Sequence, residues 1–344
     1  MNKSVLLSDV ERFASSFPMI EPLRHKTFLI TGATGLIGTV MTRCLLELSR
    51  QHHLDIRVIA IVRNVEKARL LFADVFDQII FYELQLFQIT KESITHRADY
   101  VVHLASPTAS KYFVTNPVET LRTSFEGVVS MLEYARQSEV LGMVYVSSLE
   151  VYGVNENDEW IDEDFQGYVN PTEVRSSYNI GKRASECLCC SYEQEYNVPV
   201  VIARLTQTFG AGVSESENRV FAQFAHNIIR GKDIELHTEG ISAKPYCYTT
   251  DAVSAIIYHL VNGTRGTVYN VANKSTYISI RDMAMFVRQH FNPDIKVTHV
   301  PCSADAGYAP STRLRLDTSK LESLGWRPQY DLEAMFRNLI NYLK

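Results

Sequence analysis

The sequence predicts an α/β fold: a doubly wound parallel sheet with a smaller C-terminal α/β lobe. Three observations carry this. First, short runs that are apolar throughout alternate with segments of helical periodicity. Strands apolar on both faces belong in a parallel sheet covered by helices on both sides. Second, 344 residues correspond to about two lobes at ~100–200 residues each. Third, the chemically distinctive residues fall where apolar runs end, at 32–38, 63, 103–106, 147–153 and 207–212. Right-handed crossovers bring all strand C-terminal ends to one edge of such a sheet.

Taken in order, residues 1–24 read as a short helical N-terminal extension. HKTFLITG is an apolar strand ending in a turn, and TGLIGTVMTRCLLELSR has helical spacing through Leu36, Val40, Leu45 and Leu48. DIRVIAIVRN is a second strand and VEKARLLFADVF a helix. QIIFYEL and YVVHLAS are the third and fourth strands. PVETLRTSFEGVVSMLEYARQSE is a long helix before a fifth strand, GMVYVSS. SSYNIGKRASECLCCSYEQEY is a further helix and NVPVVIARL a sixth strand. Beyond it the alternation loosens. NRVFAQFAHNIIRG and TTDAVSAIIYHLVNG are helices with DIELHTEG, a strand or hairpin, between them. GTVYNVAN is one more strand that rejoins the sheet. SIRDMAMFVRQHF and DLEAMFRNLINYLK are helices around the strand KVTHV. The expected organisation is an extension at 1–24, a dinucleotide-binding domain at 25–205 rejoined by about 250–273, and a substrate-binding lobe mainly at 206–344, interleaved with the first.

Apolar residues make up 46% and charged residues 21%, with a formal charge of −5. This composition supports a buried core and gives no electrostatic footing for nucleic acid or an acidic membrane. Asp9, Glu11 and Arg12 interrupt the N-terminus, so it does not read as a signal peptide, and no apolar run is long enough to span a bilayer. The expected address is cytoplasmic. The 6 cysteines are too few for a disulfide framework. Cys187, Cys189 and Cys190 lie in a helix, splayed around its axis, and read as reduced packing thiols with no metal site.

Thr31 to Gly38 read TGATGLIG. Gly32 allows a tight turn off the strand, Gly35 a close approach of backbone to a pyrophosphate, and Gly38 close packing of helix on sheet. The helix N-terminus faces the anion. Strand before and helix after are the setting a dinucleotide site of the Rossmann type requires. The second strand ends in Val62 and Arg63, where a chain selecting NAD carries an acid for the ribose 2′-hydroxyl. A cation there suits a 2′-phosphate, so NADP is favoured over NAD.

Tyr178 and Lys182 are one helical turn apart and share a face. A phenol titrates near ~10, too high for a base at neutral pH, and an adjacent ammonium favours the phenolate. Ser147 and Ser148 end the fifth strand on the cofactor edge, where a hydroxyl can donate to a substrate oxygen. His103, also at a strand end, reads as packing or support. The acids between Glu156 and Asp164 read as a solvated loop with no metal.

These residues resemble the extended short-chain dehydrogenases/reductases, in particular the NAD-dependent epimerase/dehydratase family acting on nucleotide sugars. The resemblance runs from about His25 to the C-terminus through TGATGLIG, HLAS, VSSLEVYG, YNIGK, ARLTQTFGAG, YCYTTDAV, YNVAN and LDTSKLESLGWRP. It implies Tyr178 as catalytic base, Lys182 as its partner and a ligand of the nicotinamide ribose, and Ser148 as the third catalytic residue. It implies Gly32, Thr34, Gly35, Leu36, Ile37 and Gly38 as the cofactor loop, with Leu104, Ala105 and Ser106 lining the cofactor. The expected substrate contacts are Ser148, Gln207, Arg219, Lys244 and Arg315; Arg313 is an alternate to the last.

Several positions depart from the family pattern. In family members that dehydrate or decarboxylate sugars, the triplet before VYG is Thr-Asp-Glu or Thr-Ser-Glu. Here it is Ser148-Leu149-Glu150. Leu149 cannot exchange a proton, so the acid that expels water in 4,6-dehydratases is missing. Glu150 is either a base beside C5 of the sugar or a loop carboxylate. Gln88 stands where an Asp usually holds adenine, Ser124 where a helix Asn is usual, and Gln207 where an Asn touches phosphate. Lys244 replaces an Arg of the diphosphate clamp, a point charge in place of a fork. The expected activity is NAD(P)-dependent oxidation of a sugar hydroxyl to a transient ketosugar on a nucleotide sugar or phosphosugar. The alternatives are an NADPH-dependent ketoreductase and, in another class, a non-catalytic dinucleotide sensor. A homodimer through the helices at 117–138 and 176–196 is expected by analogy.

Overall fold

The computed structural model describes residues 1–300 and 311–344. In chain order its elements are α1 (Lys3–Ser16), β1 (Thr27–Thr31), α2 (Leu36–His52), β2 (Arg57–Val62), α3 (Val65–Leu71), β3 (Ile79–Glu83), β4 (Tyr100–His103), α4 (Ser110–Thr115), α5 (Pro117–Ser138), β5 (Gly142–Ser148), β6 (Trp160–Ile161), α6 (Ser177–Tyr196), β7 (Val200–Leu205) and β8 (Gln207–Phe209). They continue with α7 (Val220–Arg230), β9 (Ile234–Leu236), β10 (Ala243–Tyr248), α8 (Thr249–Asn262), β11 (Val268–Val271), β12 (Asn273–Ser279), α9 (Ile280–Phe291), β13 (Val297–His299), β14 (Arg315–Leu316), α10 (Ser319–Ser323) and α11 (Leu332–Leu343).

Seven strands form the main sheet in the order β11-β7-β5-β4-β1-β2-β3, every pair parallel. The winding reverses at β1, which lies between β4 and β2, so a crevice opens at the C-terminal ends of β1 and β4. The two faces are filled separately. Phe28 and Ile30 of β1 pack with Val40, Met41 and Leu45 of α2, while Leu29 between them packs with Val128, Met131 and Leu132 of α5. Alternation along a strand apolar at both parities thus builds two cores, one per face.

The chain leaves this sheet at one residue. β7 ends at Leu205 and β8 begins at Gln207, in a three-stranded sheet of order β12-β10-β8. Thr206 makes the switch: its amide donates to Val271 O at 3.0 Å and its hydroxyl donates to Pro245 O at 2.6 Å. ARLTQTF reads as one apolar run, and the transfer is set by these two distant carbonyls. α7, α9 and α11 cover the small sheet through Phe221, Phe224, Met283, Met335 and Phe336. β9 is a single short strand paired with β13, and β14 pairs with β6.

The N-terminal helix begins at Asn2, whose side chain accepts from Ser4 N at 3.1 Å. Its apolar face, Leu6, Val10 and Phe13, joins the main core. Buried Asp9 accepts hydrogen bonds from Tyr248, from Tyr330 at 3.4 Å and from Asn338 at 3.2 Å. These ties run from α1 to β10 and α11. No helix among the described residues is long and apolar enough to cross a membrane.

Candidate functional site

The loop after β1 is a cradle with no room for a side chain at Gly32 or Gly38. Gly32 has φ +68°, and a Cβ on it would lie 2.9 Å from Ala105 N. A Cβ on Gly38 would lie 2.3 Å from Gly32 O. Gly35 precedes the first turn of α2, and no side chain caps that turn. The amides of the helix N-terminus are therefore left for an anion. Thr34, Leu36 and Ile37 are at the opening, as are half-buried Leu104, Ala105 and Ser106 after β4. Ala105 N donates to Thr31 Oγ1 at 3.3 Å, which holds the two strand ends together. Ser106 Oγ has no hydrogen-bond partner among the described residues. Closely approached backbone, free helix amides and an unpartnered hydroxyl on the crevice are what a dinucleotide needs, so the residues present fit that cofactor. Arg63 is exposed just past β2.

His103 belongs to the scaffold. It is buried, its Nδ1 is 2.7 Å from Thr31 Oγ1, and burial pushes its pKa down to about 3 with Lys182 adding to the effect. It stays neutral at physiological pH.

Tyr178 lies in the first turn of α6 and is 7% exposed. Its ring stacks on Phe113 of α4 at 4.2 Å. Lys182 is 4% exposed, and its Nζ donates to Val146 O at 2.8 Å and lies 5.8 Å from the Tyr178 ring centre. Ser148 closes β5, where its Oγ accepts from Glu150 N at 3.2 Å. The close approach of α6 to α5 explains Gly181 and Ser124: a Cβ on Gly181 would sit 2.9 Å from Ser124 Cβ.

Electrostatics at this pair differ from the expectation of a phenol pulled down by its amine. Burial pushes Tyr178 up to about 12; Glu150 adds to the rise, and Ser148, Arg175 and Arg219 oppose it. Burial likewise pushes Lys182 down to about 8 against the attraction of Glu186. Desolvation outweighs the neighbouring charges at both groups.

The surroundings of Glu150 are not legible in the sequence. Its carboxylate is 3.0 Å from the Arg175 guanidinium, and its backbone carbonyl accepts from Asn179 Nδ2 at 2.7 Å. Arg175 lies three residues before Tyr178 and over the Phe113 ring at 5.0 Å. Leu149 is buried. The signal for Arg175 is its place one turn before Tyr178; its partner, 25 residues upstream, cannot be inferred from spacing.

The remaining expected contacts fall in two groups. Gln207 starts β8, with Tyr246 its register partner on β10. On the same strand, half-buried Lys244 feels Glu150 and Arg219, and burial lowers its pKa. Arg219 immediately precedes α7 and pairs with Glu217 at 2.6 Å. Arg219 acts on Tyr178 directly, and Lys244 shares Glu150 and Arg219 with it as charged neighbours. Arg313 and Arg315 instead line a cavity of about 380 Å³ with Asp158, Tyr277 and Arg281, to which Tyr178 does not contribute. Arg315 lies 4.5 Å from the Tyr277 ring centre and 3.4 Å from Asp158. No cluster of three or more metal-ligating side chains occurs among the described residues.

Residues 28–272 match the NAD dependent epimerase/dehydratase family. UDP-glucuronic acid decarboxylase 6 of Arabidopsis thaliana is 28% identical over 336 residues, covering 92% of this chain and 90% of the relative. UDP-glucose 4-epimerase from Thermotoga maritima, solved with UDP-glucose, superposes with a TM-score of 0.77 at 20% identity, over 92% of this chain and 98% of that one. The Thermus thermophilus UDP-glucose 4-epimerase, solved with NAD, gives 0.74 at 22% identity, over 92% and 98%. These two structures share the fold.

Proposed function

This chain belongs to the NAD-dependent epimerase/dehydratase family, and we propose that it oxidises a nucleotide-linked uronic acid at C4 and releases the C5 carboxylate as carbon dioxide. The observation that carries the reading is that Tyr178 and Lys182 of α6 meet Ser148 at the end of β5, with Lys182 acting on His103, which reaches Thr31 at the start of the glycine cradle. A nicotinamide dinucleotide, when bound, supplies the acceptor and donor of hydride. The cradle amides and Lys182 hold it. Ser148 donates to the sugar O4 while Tyr178 removes its proton, the Arg175 and Arg219 cations favouring the phenolate as it forms.

The resulting 4-ketone is β to the carboxylate. The C5–carboxylate bond breaks, its electron pair enters the C5–C4 enolate, and a proton from solvent returns to C5; the C4 ketone then regains its hydride while Tyr178 returns the proton to O4, leaving the cofactor in its starting oxidation state. This route needs no acid to expel water, which agrees with buried Leu149 at the position where dehydratases carry one. Glu150 pairs with Arg175 at 3.0 Å, at the position the reading sets beside C5 of the sugar. The Arabidopsis relative, named a UDP-glucuronic acid decarboxylase, supports the same chemistry. Gln207, Arg219 and Lys244 take the diphosphate. Arg63, with no acid at the end of β2, selects NADP over NAD.

The chain acts as a homodimer. Val118, Leu121 and Phe125 are exposed along α5, with Val114 of α4 beside them, an apolar stripe suited to a second copy. The cell compartment is the cytoplasm.

The test is incubation of the purified chain with UDP-glucuronic acid, or with UDP-glucose, and NAD⁺ or NADP⁺. Product mass and cofactor absorbance are followed together. Loss of carbon dioxide from the uronate without net cofactor reduction is expected. Turnover of UDP-glucose alone would replace this reading with an epimerase. Net consumption of NADPH on a ketosugar would make it a reductase, and tight dinucleotide binding with no turnover would make it a sensor.

A further inference from the structure

Helix α6 presents a third residue in register with the pair already described. Tyr178, Lys182 and Glu186 are spaced by one turn each and share a face. Glu186 is 7% exposed. Ser147 Oγ donates to its Oε1 at 2.5 Å, and Arg204 donates from Nε at 3.1 Å and from Nη2 at 2.8 Å. Ser147 on β5 and Arg204 on β7 are register partners in the sheet. One carboxylate thus joins α6 to two adjacent strands. One turn earlier, Lys182 holds the preceding β5 residue through Val146 O. Consecutive residues of β5, immediately before Ser148, are gripped by consecutive turns of the helix that carries Tyr178.

We propose that the buried Glu186–Arg204 ion pair is the positioning element of the Ser148–Tyr178–Lys182 group, fixing the end of β5 against α6 and supplying the negative charge that Lys182 faces. The proposal rests on the reading of Tyr178 and Lys182 as the proton-transfer pair. A fully paired carboxylate is needed in this place. An unpaired one would be costly to bury, and two hydrogen bonds from one guanidinium fix its orientation. Arg204 is held in turn: Nη1 donates to Glu163 O at 2.7 Å, and the guanidinium lies 4.8 Å from the Tyr152 ring centre.

The other titratable groups around Lys182 cannot supply this charge. Tyr178 shares its helix, Tyr145 of β5 lies under Nζ at 4.8 Å, His103 of β4 is neutral, and Cys189 on α6 is a buried thiol pushed far up by burial. Arg183, next along α6, is cationic and turns to Val151 O and Gly167 O. Glu186 is the carboxylate that opposes the desolvation of Lys182.

The test is the pH titration of the Lys182 ¹³Cε resonance in the full chain, assigned by its disappearance in Lys182→Arg. The parent chain is expected to titrate near 8. Glu186→Gln is expected to lower the midpoint by roughly one pH unit or more, and Glu186→Asp, which keeps the charge, to restore most of it. The double variant Glu186→Gln/Arg204→Met leaves no lone buried charge and carries the test should the single variant not fold; it too is expected to lower the midpoint. A Lys182 midpoint unchanged in the folded Gln variants would overturn the proposal. The titration needs no substrate. A chain that turned over no nucleotide sugar would therefore sink the proposed reaction and leave this result standing.

Discussion

Replacing Gly38 by alanine sets two well-defined effects against each other. Gly38 lies in the first turns of α2. On helix propensity alone, glycine to alanine stabilises a helix by about 1 kcal/mol. The cradle opposes this. The new Cβ would stand 2.3 Å from Gly32 O and 2.7 Å from Ala33 Cα, and both are backbone atoms that no rotamer change can remove. Overpacking of this kind costs about 1–3 kcal/mol, and relief requires α2 to move off β1, spoiling the spacing of the helix amides that would meet the pyrophosphate. The expected result is a net loss of stability of about 1 kcal/mol and a loss of dinucleotide affinity of roughly tenfold or more, since one charge-assisted hydrogen bond contributes about 1.5–3 kcal/mol. Thermal melting and NADPH fluorescence titration measure the two. A Gly38→Ala chain that melts higher than the parent and binds dinucleotide equally well would mean that helix propensity wins and that the cradle does not need its glycine.

Three further outcomes follow from the same geometry. Arg63→Ala is expected to weaken NADP⁺ binding by roughly 10-fold or more while changing NAD⁺ binding little, measured by calorimetric titration; equal losses for both cofactors would remove Arg63 from the 2′-phosphate. Asp251 accepts from the amides of Gln329 and Tyr330 at 3.0 and 3.2 Å, yet burial pushes its carboxyl up to about 7. A folded pKa above the ordinary carboxylate value of about 4 means that the folded chain holds the proton in that window. The contribution of this group is therefore fully present below about pH 4 and is lost as pH rises through about 7. Melting temperature against pH should show that slope in the parent and a flatter one in Asp251→Asn, and identical slopes would contradict the assignment. Phe125→Glu places a charge in the exposed stripe of α5 and is expected to shift the chain from dimer to monomer in sedimentation, with the melting curve of the monomer little changed; a parent chain that sediments as a monomer would end the dimer proposal.

Most of the half built on the seven-stranded sheet is legible in the sequence because its signals are local. The apolar runs of β1, β2, β4, β5 and β7, the glycine spacing after β1 and the one-turn spacing of Tyr178 and Lys182 each lie within one element or at its end. What cannot be read depends on partners distant in sequence. Thr206 moves the chain to another sheet because Pro245 and Val271 supply carbonyls. β6 and β14 are two-residue strands that exist only because they find each other. Arg175 and Glu150 are both visible in the sequence, but their pairing is not. The phenol's upward shift escapes the sequence for a related reason: spacing reveals the neighbouring amine and says nothing of how deeply both groups are buried. The N-terminal extension is recognisable as a helix, while the burial of Asp9 against Tyr248 and Tyr330 rests on residues from the far end of the chain.

In the proposed reaction the Tyr178 hydroxyl transfers the substrate proton while the cradle independently holds the dinucleotide. Tyr178→Phe removes that one oxygen and keeps the ring stacked on Phe113. Turnover of UDP-glucuronic acid and dinucleotide affinity should be measured on the same preparation. Turnover is expected to fall by at least about 100-fold, with affinity changed by no more than a few-fold. Turnover in Tyr178→Phe equal to that of the parent chain would contradict that role of the hydroxyl.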